Sequence, residues 1–233
     1  MDVFQESNQP SIYPFGIRID TPVTVATDLL VTAVCFYAFY KISQMKSNHI
    51  IKKYLLIYFA SMGMATAIGG IVGHGFLYAL GFEWKLPGWF TSMVSIAFLE
   101  RACIEQARPF IKNSTIRFFS VLNIIELITF MIISFYTLNF LYVEIHSAYG
   151  LAFIVFSFSI FVYRKTGNKG NIRFIQAVLL AACAATWFLL KWDFNIWFNH
   201  YDVSHVFMAL SAWFFFLGSE KVILQAENHA KMS

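Results

Sequence analysis

Seven times between Pro22 and Gly218 this chain passes through a largely apolar run, and its charges collect in the short stretches between those runs. A run of roughly 20 such residues matches the thickness of a lipid bilayer's hydrocarbon core and has no counterpart in an ordinary soluble domain. The composition agrees. Hydrophobic residues make up 58% of the 233 positions and charged residues 13%, with a mean hydropathy of +0.61. Soluble domains carry about 45–50% apolar and about 25% charged residues. A water-soluble globule, a collagen, a coiled coil and a disordered chain are all excluded. The three cysteines, Cys35, Cys103 and Cys183, each sit in an apolar run, so no disulfide framework is implied.

Lipid offers no partner for backbone polar groups, and no alternating ten-residue pattern suggests a barrel, so the spans are expected to be helices. The expected architecture is an all-α membrane protein, a bundle of seven transmembrane helices. They fall near residues 22–42, 52–80, 87–108, 115–138, 141–163, 172–191 and 199–218. Pro22 and Pro87 suit first turns, with Thr21 as the cap of the first helix. Residues 1–21 form an N-terminal segment, 22–218 the membrane domain, and 219–233 a solvated helical tail. The N-terminal segment holds Asp2, Glu6 and Asp20 and lacks the basic and apolar regions of a secretory signal, so the first span is expected to be retained.

Cations orient the bundle. Lys41, Lys46, Lys52 and Lys53 flank the first loop, Arg108, Lys112 and Arg117 the third, and Arg164, Lys165, Lys169 and Arg173 the fifth. Those loops are expected in the cytoplasm. The connections 81–86, 139–140 and 192–198 then face outward, with the N-terminus outside and the C-terminus inside. The net charge of +4 reads as a topology signal rather than as a nucleic-acid surface.

An ionisable group in such a helix is a functional hypothesis, since burying it in hydrocarbon costs at least about 2.5–3.5 kcal/mol. At about 1.5 Å per residue, Asp28, His74 and His205 each lie roughly 9 Å below the outer end of a span. His146 is placed slightly shallower, and Thr91, Ser92 and Ser95 bracket the same level. The last span opens with Asn199, His200, Tyr201, Asp202, Val203, Ser204 and His205, where Asn199 suits an N-cap and Asp202 the first turn. Imidazoles beside a carboxylate are a usual ligand set for catalytic zinc. His74, His200 and His205 are therefore the expected metal ligands, His200 joining only by folding back ahead of the helix. Asp202 or Asp28 would orient a ligand or move a proton, and Ser92 or Ser95 would help hold an oxyanion. A deeper polar set comprises Glu100, Arg101, Glu105, Arg108 and Glu126, in which Arg101 and Glu105 are spaced for an ion pair and Glu100 and Glu126 reach similar depth.

A second-span histidine followed by a seventh-span pair, in a seven-helix chain with its N-terminus outside, resembles the alkaline ceramidase and adiponectin-receptor group of intramembrane metal hydrolases. That resemblance implies zinc held by three histidines, here His74, His200 and His205, and cleavage of a lipid amide. The chain is more closely similar to a bacterial family of small seven-span proteins without an assigned activity. The likeness is carried by Thr27-Asp28, by His74-Gly75-Phe76, and by Phe198-Asn199-His200-Tyr201-Asp202 with His205. It implies that these groups belong to one site, in a bacterial inner membrane.

The sequence therefore points to a zinc-dependent hydrolase of a lipid amide or ester, with membrane lipids as its surroundings and no nucleic-acid partner. Its rivals are a proton-coupled transporter or sensor that continues its route through Glu100 and Glu126, and a scaffold whose polar layer only locks helices together. A retinal protein is disfavoured, because the last span has no lysine before Lys221.

Overall fold

The computed structural model describes residues 9–232, with side chains as far as Asn228. Residues 1–8 of the expected N-terminal segment lie outside the described residues. Among those described, seven long helices follow one another: α1 (Pro22–Ser43), α2 (Ile50–Gly75), α3 (Leu86–Ala107), α4 (Asn113–Thr137), α5 (Leu141–Thr166), α6 (Lys169–Leu190) and α7 (His200–Met232). Six of them, all but α3, are long and apolar enough to cross a membrane. α3 has the length of a span, but Glu100, Arg101 and Glu105 lower its hydropathy. Twelve of its 22 residues are buried, against four of 25 in α4. α3 is thus wrapped by its neighbours, and its charges meet protein rather than lipid.

α2 packs between α1 and α3, α3 meets α4 and α5, α6 lies along α7, and α7 returns to α1 to close the ring. Phe59, Phe174 and Phe215 are fully buried at the centre, where Phe215 stands edge-on to Tyr58 and Phe174 with ring centroids 5.7 and 5.4 Å apart. The outward residues of α4, among them Phe118, Ile125, Ile128, Ile132 and Phe135, are exposed and apolar. An apolar surface of that extent belongs against lipid.

Several local expectations change. Thr21 makes no side-chain cap and has a left-handed backbone (φ 42°). The first turn of α1 is capped from further away, by Gln9, whose Oε1 accepts from Val23 N at 3.0 Å and Thr24 N at 3.4 Å. α2 does not run regularly to residue 80. Its last stretch, Gly69–Gly75, is π-helical, the chain breaks at Phe76, and a single turn follows at Leu77–Leu80. A second π-helical stretch, Gly150–Val155, lies inside α5. The expected solvated tail is instead a continuation of α7: Ser219, Val222 and Ile223 are buried, and Ser47 Oγ donates to Glu227 Oε2 at 2.6 Å.

Candidate metal centre

α7 begins as its sequence predicts. Asn199 Oδ1 accepts from Tyr201 N at 2.9 Å, and Asp202 Oδ2 accepts from Asn199 N at 2.7 Å, a reciprocal capping box. The other Asp202 oxygen accepts from Thr24 Oγ1 at 2.8 Å, and Gln9 Nε2 approaches Oδ2 at 3.4 Å. Asp202 is therefore occupied in tying the start of α7 to α1. That tie sets the height of His205, one turn further along.

Asp28 on α1, His74 on α2 and His205 on α7 come together, each offering a ligand atom within 4.8 Å of the others. His74 Nε2 lies 3.8 Å from Asp28 Oδ2, and His205 Nε2 lies 3.5 Å from Asp28 Oδ1. The π-helical turn places His74 on this face and brings α2 onto α1 at Gly70, where a Cβ would stand 2.8 Å from Asp28 Cβ. Such π-turns occur often at functional sites.

Hydrogen bonds fix the orientation of His205. Thr27 Oγ1 donates to Thr24 O at 3.0 Å and lies 3.1 Å from His205 Nδ1. In the arrangement where the hydroxyl proton stays directed at Thr24 O, Thr27 accepts from Nδ1–H and the Nε2 lone pair of His205 faces the Asp28 carboxylate. Ligand atoms converging in this way could hold a cation between them. A tetrahedral ion bonded at about 2.0–2.2 Å spaces its ligand atoms about 3.4 Å apart; here the two imidazoles lie 3.8 and 3.5 Å from different oxygens of Asp28, and the set as a whole spans up to 4.8 Å, so its members would draw together slightly around an ion. The hydroxyl that holds the far imidazole nitrogen is the outer-shell partner such ligands usually have.

Other expected members fall elsewhere. His200 does not join His74 and His205: its Nδ1 lies 2.7 Å from Asp193 Oδ1, an oxygen that also accepts from His200 N at 2.8 Å. The Ser92 and Ser95 hydroxyls turn back on their own helix, donating to Trp89 O at 2.7 Å and Ser92 O at 2.6 Å. His146 turns away from the converging set into a different cluster, with Nδ1 2.7 and 2.8 Å from the Glu126 oxygens and Nε2 3.0 Å from Met93 O. Arg101 does not pair with Glu105. Its Nε donates to Asn123 Oδ1 and its Nη2 to Ser120 O, both at 2.7 Å, while Glu105 holds Arg108 at 2.6 Å.

Sequence reasoning missed Lys85. It is buried just ahead of α3, with Cγ 3.8 Å from where a Gly73 Cβ would be, and its charge acts on both Asp28 and His74. In the sequence it stands in a short connection beside Glu83 and looks like an ordinary loop charge.

The model described as Family of unknown function (DUF6962) matches residues 23–223. The chain belongs to this family. No curated protein and no solved structure matches it. The DUF6962 match takes in all three members of the converging set, as well as Glu100, Glu126 and His146.

Proposed function

We propose that the protein is a zinc-dependent hydrolase of a lipid amide or ester, seated in a bacterial inner membrane. α3 serves as a seventh span, with the N-terminus outside and the C-terminus in the cytoplasm. The observation that carries the reading is the convergence of two imidazoles and one carboxylate, the set that leaves a fourth position open in catalytic zinc sites. Asp28, His74 and His205 hold the ion, and Thr27 keeps His205 in the ligating tautomer. When bound, the ion supplies a Lewis acid that activates water and polarises a carbonyl.

The remaining roles follow from placement. Asp202 positions α7 against α1 and, through it, His205. The Lys85 ammonium, whose charge acts on Asp28 and His74, would act in the same way on a developing oxyanion, a role the turned-back hydroxyls of Ser92 and Ser95 do not fill. His200 supports the loop before α7 rather than the ion. The exposed Trp192, Phe194 and Trp197 of that loop suit a lipid interface beside the site. The likeness to ceramidases adds the amide as the leading substrate bond, and the cation-rich loops support the orientation.

The deciding experiment measures metal in protein purified without chelator or polyhistidine tag, beside His74→Ala and His205→Ala, and follows fatty-acid release from ceramide-type and ester substrates. The expected result is one zinc per wild-type chain, lost in both variants together with hydrolysis. Absent metal, or equal metal in all three proteins, overturns the reading. Bound metal without hydrolysis of either substrate class removes the enzyme and keeps the centre.

A further inference from the structure

We propose that Glu100, with the Glu126–His146 pair beside it, forms a proton-binding site inside the bundle, built by α3, α4 and α5 and separate from the metal centre on α1, α2 and α7.

Each proton around Glu100 can be assigned. Met93 O can only accept, so the His146 nitrogen facing it, Nε2, carries hydrogen. A single further proton lies between His146 Nδ1 and the Glu126 oxygens. Wherever it resides, that pair is neutral overall. Arg101 adds one positive charge, held away from the acids by Asn123, which accepts from Arg101 Nε and donates through Nδ2 to Glu100 Oε2 at 3.1 Å and Ala97 O at 3.2 Å.

Glu100 is the remaining variable. Its side chain is fully enclosed, and among the described residues Oε1 has no hydrogen-bond partner, although Oε2 has one. Ionised, Glu100 balances Arg101 through the amide. Protonated, it leaves the cluster with one net positive charge. Oε1 is where that proton lands. The space it occupies exists because residue 150 is glycine: a Cβ there would collide with Glu100 Oε1 and would lie 2.6 Å from Ile96 Cγ2. Gly150 also opens the π-helical stretch of α5, so a local departure from regular helix and an enclosed, half-satisfied acid meet at one point.

The ionisable groups in electrostatic reach are Arg101 and Cys103 from α3, Glu126 from α4, and His146 and Tyr149 from α5. Tyr149 is half-buried.

The test is infrared spectroscopy of the full chain in lipid nanodiscs during a pH titration, in H2O and D2O. The expected wild-type spectrum contains a protonated-carboxyl band that comes and goes with pH and shifts in D2O. Glu100→Gln, nearly isosteric and still able to accept from Asn123, loses that band, while His74→Ala keeps it whatever becomes of metal binding. A wild-type spectrum without such a band at any pH overturns the proposal without need of a variant, as does a Glu100→Gln spectrum that superimposes on it. Asn123→Ala removes the Asn123 donor to Oε2 and serves where Glu100→Gln fails to fold. An unmoved titration midpoint in that variant also overturns the proposal.

Discussion

Gly70 makes room for Asp28: a Cβ at position 70 would lie 2.8 Å from Asp28 Cβ and 3.3 Å from Val25 O. The carboxylate reaches both imidazoles only because α2 presses its bare backbone on α1 at this point, as small residues permit between membrane helices. Gly70→Ala is therefore expected to separate α1 from α2 locally and to cost about 1–3 kcal/mol in overpacking. On the proposed metal reading, bound zinc should fall in parallel. Thermal unfolding in mild detergent alongside metal analysis checks both effects, and full zinc in a folded variant would contradict the relationship.

Thr27 and His200 separate the two histidines of α7. Thr27→Val keeps the side chain's shape but removes the acceptor for His205 Nδ1–H, and outer-shell changes of this kind weaken metal binding by about 10–100-fold. His200→Ala should leave the affinity unchanged, since its ring is held by Asp193. Competition against a fluorescent zinc chelator measures both variants on one scale.

Depth along a helix was legible in the sequence, whereas direction around it was not. A rise of about 1.5 Å per residue was enough to put Asp28, His74 and His205 at one level. The same arithmetic put His146 near that level, yet its ring turns to Glu126 on the neighbouring helix, a matter of which helices pack together. His200 was misplaced because loop 191–199 settles its partner. Arg101 and Glu105 satisfy the helical pairing rule, but Asn123 and Ser120 O on α4 hold the guanidinium instead. The π-helical stretches start at glycines, Gly69 and Gly150, and glycines there read equally well as packing residues.

The Glu126–His146 pair should be costly to break. His146→Ala leaves a buried carboxyl and Met93 O without their shared partner, and truncating one member of a buried pair costs about 3–5 kcal/mol. Reversible unfolding in mixed micelles should show that loss, with Glu126→Gln less affected because an amide can still bond the ring. A His146→Ala protein as stable as wild type would mean that the pair contributes nothing to folding.

The loop before α7 is expected to respond to acid. Partial burial acts to raise the pKa of the Asp193 carboxyl, but hydrogen bonds from the His200 ring and backbone N–H outweigh it and hold that pKa below the ordinary aspartate range. A depressed carboxylate pKa contributes stability that is present above its unfolded value and lost as pH falls through the folded one. The tether should therefore persist through neutral and mildly acidic conditions and release only below the usual aspartate range. The side chain is half exposed, so the effect stays local to the loop. Trp192 and Trp197 are exposed beside Asp193 and report the change by fluorescence. Asp193→Asn, whose amide oxygen can still accept from His200 but no longer titrates, should flatten the acid transition, and an unaltered transition in that variant would assign the acid response to another group.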